Sequence, residues 1–183
     1  MNLSNLFKIQ KQLDDRIIKE KGLEGQDLLD KKILALQVEL GELANEWRGF
    51  KFWSENQEPR TKRYKFEDKF HPNENPLLEE YVDCLHFILS IGLELGYQYI
   101  STYRMNVSED AITEFNLLMA NVSGMWLSST TKHGVKFRIN EDYRKIFSIF
   151  ISLGELLGFT WKQIEQAYLE KNKINHERLE SGY

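Results

Sequence analysis

Apolar side chains recur at three- and four-residue intervals along most of this chain, the spacing of helices that bury one face. Leu6, Ile9, Leu13 and Ile17 share a face in a stretch from about Ser4 to Lys21. Ile33, Leu36, Leu40, Leu43 and Trp47 form a second stripe, predicting a helix from about Leu29 to Arg48 closed by a glycine cap at Gly49. Leu77, Tyr81, Leu85, Ile88, Gly92 and Leu95 predict a third helix from Pro76, a good first-turn residue, to about Gly96. A fourth is expected from an N-cap at Ser108 to about Leu127, with SSTTKHGVKF as the connection after it. Asn140 is read as the cap of a fifth helix ending before Gly158. Thr160 and Gln163 form a capping-box pattern for a last helix over about Trp161 to Leu179. The only alternating stretch suited to a strand is VKFRI, at 135–139. The expected fold is therefore an all-α, single-domain helical bundle spanning 1–183.

Two features interrupt this regularity. The three prolines, at 59, 72 and 76, all fall between Ser54 and Leu77, which reads as one long polar loop. Loops of that length inside a compact fold are uncommon and often functional. FILSIGLELGY (87–97) and IFISLGELLGF (149–159) echo each other, as two similar helix-to-turn transitions packed together would. The stretch from Gln98 to Arg138 reads as either a cap over a site or an interface.

Composition narrows the function. The 183 residues carry 24 lysines and arginines against 28 acids, a net charge of −4, which argues against a general basic surface for nucleic acid. A polyanionic substrate must then be met by a few placed cations or by metal. The one cysteine, Cys84, cannot form an internal disulfide, which suits a reducing, cytoplasmic compartment. The N-terminus is mixed in charge, unlike a secretory signal. The most apolar run, Cys84 to Ile100, is too short and too interrupted to span a membrane.

The chemistry-bearing pattern is a repeated acid pair. Glu39 and Glu42 lie one helical turn apart beside the Leu36–Leu40–Leu43 stripe, and Glu80 and Asp83 repeat that spacing beside the third helix's stripe. Like charges placed near a core repel, and burial aggravates this unless a cation compensates. If the two helices pack antiparallel, four carboxylates converge. An oxygen-only set of this kind suits Mg²⁺ or Mn²⁺. Ordinary solvated acids are the plain alternative for any one of them. Glu46 and Glu79 are read first as solvated acids and second as groups supporting the acid cluster, and His86 as a hydrogen-bonded core or site-edge residue rather than a ligand.

On the last helix, Lys171, Asn175 and Arg178 follow i, i+4, i+7 spacing with Tyr168 one turn before, a face suited to phosphate oxygens. Cations near a helix C-terminus also simply complement its dipole. In RGFKFWS (48–54), Phe52 is read as core and Trp53 as either core or a cover for a flat base. Lys51 is a solvated lysine or a further phosphate contact.

ELGE (39–42) with EYVD (80–83) resembles the E-x-x-E…E-x-x-D pattern of the all-α nucleoside triphosphate pyrophosphatases, the superfamily of MazG-like enzymes and dimeric dUTPases. IQKQLDD (9–15), FKFW (50–53) and KNKINHER (171–178) point to the dimeric dUTPase branch, so that the resemblance touches nearly the whole chain. It implies that Glu39, Glu42, Glu80 and Asp83 hold Mg²⁺, with Glu39 or Glu42 orienting or deprotonating the attacking water. It also implies that Lys171, Asn175 and Arg178 engage the phosphates and sugar, and that Trp53, Gln10 and Asp14 border uracil. The implied reaction is dUTP to dUMP and pyrophosphate, with dUDP a further substrate, in a homodimer. Asp14 departs from the asparagine that family members often carry, and an ionised carboxylate only accepts hydrogen bonds. Two other readings stand beside this one. The same site could serve another nucleotide, as in MazG-like enzymes, or the helices could form a non-catalytic interaction module.

Overall fold

The computed structural model describes residues 3–64, 74–97, 108–130 and 136–182. It contains α1 (Leu3–Glu20), α2 (Leu29–Trp47), α3 (Pro76–Glu94), α4 (Ala111–Thr130), α5 (Lys136–Leu156) and α6 (Trp161–Glu180). Among the described residues the only β pairing is an isolated bridge between Arg63 and Glu74, which ties the two ends of the polar loop. The fold is all-α, as the periodicity predicts. Two parts of the stretch whose role the sequence leaves open, 98–107 and 131–135, lie outside the described residues.

Helix α3 is the axis of the molecule. It packs against α1, α2, α5 and α6, and this explains why its buried residues run around most of its circumference rather than along one stripe. Its start is defined chemically: the Asn75 side chain accepts a hydrogen bond from the Leu78 amide, and Pro76 follows. Contacts at two levels set its direction against α2. Lys32 reaches Glu94 at 2.6 Å, while Glu39 meets Glu80 and Asp83, so the two helices run antiparallel.

Helices α3 and α5 hold each other reciprocally. The Tyr81 hydroxyl donates to the Phe150 carbonyl at 3.0 Å, its ring stacked on Phe150 and lying over Gly154. The Tyr143 hydroxyl donates to the Ile88 carbonyl at 3.0 Å, its ring lying over Gly92. Each glycine is required because a Cβ there would fall inside the opposing tyrosine. The echo between 87–97 and 149–159 thus corresponds to one tyrosine-over-glycine contact made in both directions.

Four local expectations are corrected. The left-handed residue that ends α2 is Arg48, with φ 68°; Gly49 instead makes room for the Trp47 indole. Helix α4 is capped by Asp110, whose carboxylate accepts from the Ile112 and Thr113 amides, while the Ser108 hydroxyl accepts from the Asp110 amide. Helix α4 runs on to Thr130, so the expected connection after it begins later. Helix α5 begins at Lys136, so Asn140 lies inside it and 136–139 are helical rather than extended; Val135 is outside the described residues. Ile139 packs on the core one turn before Tyr143, and the 3.6-residue period continues through it.

Candidate active site

The antiparallel pairing of α2 and α3 brings the acid pairs together. One carboxylate oxygen from each of Glu39, Glu80 and Asp83 lies within 4.8 Å of the others. Glu42, one turn on, is exposed and stands outside that closest group. Its charge is nevertheless felt at both Glu39 and Glu80.

The electrostatics are those of an anion cluster short of cations. Burial, then the charges of Asp83 and Glu42, pushes Glu39 up to about 7. Burial again leads for Glu80, followed by Asp83, Glu42 and the other neighbouring acids, and it too is pushed to about 7. Asp83 is also raised by burial, although Lys171 opposes this through a 2.6 Å hydrogen bond and its charge. Lys171 divides itself between Asp83 and Glu79, at 2.9 Å to the latter. Burial lowers Lys171, but its bonds to those two carboxylates outweigh it and the ammonium is held charged. Glu79 is therefore not the solvated acid the sequence suggests. Glu46 likewise pairs with Arg60 at 3.1 Å.

Lys171, joined at Asp83 by the weaker pull of the Arg178 charge, cannot neutralise three convergent carboxylates. The donor set is all oxygen, its members repel one another, and burial with that repulsion raises Glu39 and Glu80 to about 7. A hard divalent cation fits these residues.

A cavity of about 500 Å³ opens beside the cluster. Glu39 and Asp83 form part of its wall, α6 contributes Lys171, Asn175 and Arg178, and α1 contributes Gln10 and Asp14. The spacing on α6 thus places its amide and both cations on the cavity side of that helix. Trp53 and Lys51 are not among the lining residues. Trp53 is exposed and meets the edges of Phe50 and Phe52, and the Lys51 ammonium sits 5.6 Å from the centre of the Phe50 ring. Phe52, expected in the core, is 86% exposed, because the turn after Arg48 carries it away from α2.

The inner wall is a polar network that local sequence does not announce. Gln10 is buried rather than on a solvated face. Its Oε1 accepts from the Tyr168 hydroxyl at 2.7 Å and from His86 Nδ1 at 2.8 Å, and its Nε2 donates to Asp14 at 2.7 Å. The other Asp14 oxygen accepts from Ser90 at 2.6 Å, and Lys32 lies 3.5 Å from it. The His86 ring stacks on Tyr168 with centroids 4.2 Å apart. Burial, with a smaller contribution from the Lys171 charge, drives His86 down to about 3, so the ring is neutral. Lys32, Ser90 and the role of Tyr168 escape sequence reasoning because their partners are distant along the chain. Ser90 lies inside an apolar run, and that placement was its only signal.

A search of curated proteins finds no match to this chain. The family model described as dUTPase, however, matches residues 2–183, nearly the whole length, and on that ground the protein belongs to the dUTPase family of enzymes.

Proposed function

We propose that the chain is a Mg²⁺-dependent dUTP diphosphatase that cuts dUTP to dUMP and pyrophosphate, and dUDP to dUMP and phosphate. One observation carries the reading: the convergence of Glu39, Glu80 and Asp83 at the edge of a cavity that is also lined by Lys171, Asn175 and Arg178. A nucleotide polyphosphate and a carboxylate cluster repel each other. A shared cation is what lets them approach.

Glu39, Glu80 and Asp83, with Glu42 at their margin, would hold Mg²⁺ or, in its place, Mn²⁺. Bound there, the ion supplies Lewis acidity toward phosphoryl oxygens and offsets the repulsion among the acids. Glu39 or Glu42 orients the attacking water and accepts its proton; Glu39 lines the cavity, and Glu42 stands one turn on, outside the closest group. Lys171 keeps its charge, and it and Arg178 stabilise the negative charge that grows on the phosphate being released. Asn175 is left to bond phosphate or sugar oxygens. Gln10 and Asp14 border the base. With Trp53 exposed in this chain, its part in covering the base requires the 48–64 segment to approach the cavity or a second copy to supply it.

A homodimer is part of the same reading. Leu34, Val38, Trp126 and Leu127 are exposed large apolar residues on α2 and α4, an area suited to a partner subunit. No described helix is long and apolar enough to cross a membrane. The reading takes 1–183 as a single enzyme unit in a reducing, cytoplasmic setting, to which the lone buried Cys84 is suited.

The test is product release from dUTP, dTTP, dCTP, UTP and dATP with Mg²⁺ and with EDTA, the products identified chromatographically. Mg²⁺-dependent cleavage of dUTP to dUMP and pyrophosphate, well above the others, is expected. Equal cleavage of all five would replace this reading with a MazG-like breadth of substrate. No cleavage in either condition would sink it.

A further inference from the structure

Resting on the reading that Gln10 and Asp14 border the base, we propose that His86 and Tyr168 are positioning residues. They lock the Gln10 amide in one orientation, and the wall so formed selects a pyrimidine carrying a carbonyl beside a ring N–H over one carrying an amino group beside a bare ring nitrogen.

A free glutamine amide can turn over and exchange donor for acceptor, and a site that reads a base through it loses discrimination when it does. Here both faces of the choice are occupied. Oε1 receives the Tyr168 hydroxyl at 2.7 Å and the His86 Nδ1–H at 2.8 Å. Nε2 gives one hydrogen to Asp14 at 2.7 Å. Turning the amide over would set its oxygen against the Asp14 carboxylate, and would turn its NH₂ toward two groups that now donate.

The imidazole cannot easily accommodate that reversal. It carries a single proton because burial keeps it neutral, and that proton is on Nδ1. Its Nε2 is buried without a partner. Moving the proton to Nε2, as the reversed amide would require, buries an unsatisfied N–H donor, a more costly orphan than an acceptor. Stacking on Tyr168 at 4.2 Å fixes the ring plane and ties the two donors into one unit.

With Oε1 filled, Gln10 has one N–H left to offer. Asp14 holds bonds from Gln10 on one oxygen and from Ser90 on the other, with Lys32 3.5 Å from the second, and its oxygens retain further acceptor capacity. The wall therefore presents a donor next to an acceptor. A pyrimidinedione edge, carbonyl then N–H, complements it at both points. An aminopyrimidine edge meets donor with donor and lone pair with lone pair. The acid at position 14 is then suited to the base: accepting is all the ring N–H asks of it.

The experiment compares kcat and KM for dUTP and dCTP in wild type, Tyr168→Phe, His86→Leu and His86→Asn, with a thermal melt of each. The Asn variant can replace the Nδ1–H with its amide N–H. Tyr168→Phe and His86→Leu are each expected to lower the dUTP-to-dCTP preference in kcat/KM by about tenfold, mainly through a higher KM for dUTP. His86→Asn is expected to restore most of it. If His86→Leu does not fold, the isosteric Tyr168→Phe and the Asn variant carry the test. A wild-type preference for dUTP that Tyr168→Phe leaves intact, with both substrates slowed by one common factor, would overturn the positioning role while the base-bordering reading stands. No preference in the wild type itself would overturn that reading, and this inference with it.

Discussion

Removing one of the clustered acids should stabilise the metal-free protein, and the sign should invert if the cluster holds the proposed metal. Glu80 is the best place to look. Its carboxyl is pushed from an ordinary value of 4.5 to about 7, by burial first and by Asp83, Glu42, Glu39 and Glu79 after it. A group raised on folding contributes stability that is fully present below its unfolded value and is lost as pH rises through its folded one. Wild-type protein in EDTA should therefore weaken between 4.5 and about 7 and level off above. Each pKa unit corresponds to about 1.36 kcal/mol, but Glu80 is only half buried and solvent screening removes much of that, leaving about 1–2 kcal/mol. For a protein of this size that amounts to a rise in Tm of roughly 2–8 °C. Glu80→Gln melted in EDTA near pH ~8 should gain that much over wild type, and near pH ~4.5 almost nothing. In saturating Mg²⁺ the order should reverse, because the variant loses binding-linked stabilisation. A Glu80→Gln protein less stable than wild type in EDTA at alkaline pH, or equally shifted at both pH values, would refute the repulsion reasoning.

Three further outcomes follow from the same geometry. Mg²⁺ binding should release protons when measured calorimetrically below pH 7, because Glu39 and Glu80 hold theirs up to about 7 in the free protein, and release should vanish well above it; proton-neutral binding at mildly acidic pH would contradict this. Gly92→Ala drives a Cβ into Tyr143 and within 2.9 Å of Phe7, so chemical denaturation should show a loss of about 1–3 kcal/mol without change in metal affinity. Glu114 is buried with Oε1 bonded to Ser152 at 3.2 Å and Oε2 unpaired, and burial raises its pKa. Glu114→Gln should therefore raise Tm at alkaline pH and leave it nearly unchanged in acid, with or without Mg²⁺.

Much of this molecule can be read before it is folded. The first three helices follow from apolar spacing and the last three from capping signals, and the Thr160–Gln163 capping box and the Pro76 start stand where the sequence places them. The acid pairs are legible because a helix converts a three-residue spacing into adjacency. What stays hidden depends on partners far away in the chain. Ser90 and Asp14 are 76 residues apart, and Lys171 and Glu79 are 92 apart, and no local pattern in either segment specifies the other. Gln10 looks like any polar residue on a helix flank until α6 closes over it with Tyr168. The misplaced start of α5 has a different cause. VKFRI alternates well enough for a strand over five residues, but Ile139 also belongs to the helical register of Tyr143 and Phe147, and packing on the core decides for the longer pattern. Phe52 was misjudged because hydrophobicity alone does not say which way a turn carries a side chain.

The most direct test of the central claim is the turnover of dUTP by Glu39→Gln, measured against wild type across a Mg²⁺ titration with the fold checked by circular dichroism. A folded variant whose Mg²⁺-dependent kcat falls by at least about 100-fold is expected, since it removes a member of the acid cluster at the cavity. A folded variant that retains wild-type turnover, or a wild type that cuts dUTP equally well in EDTA, would contradict it.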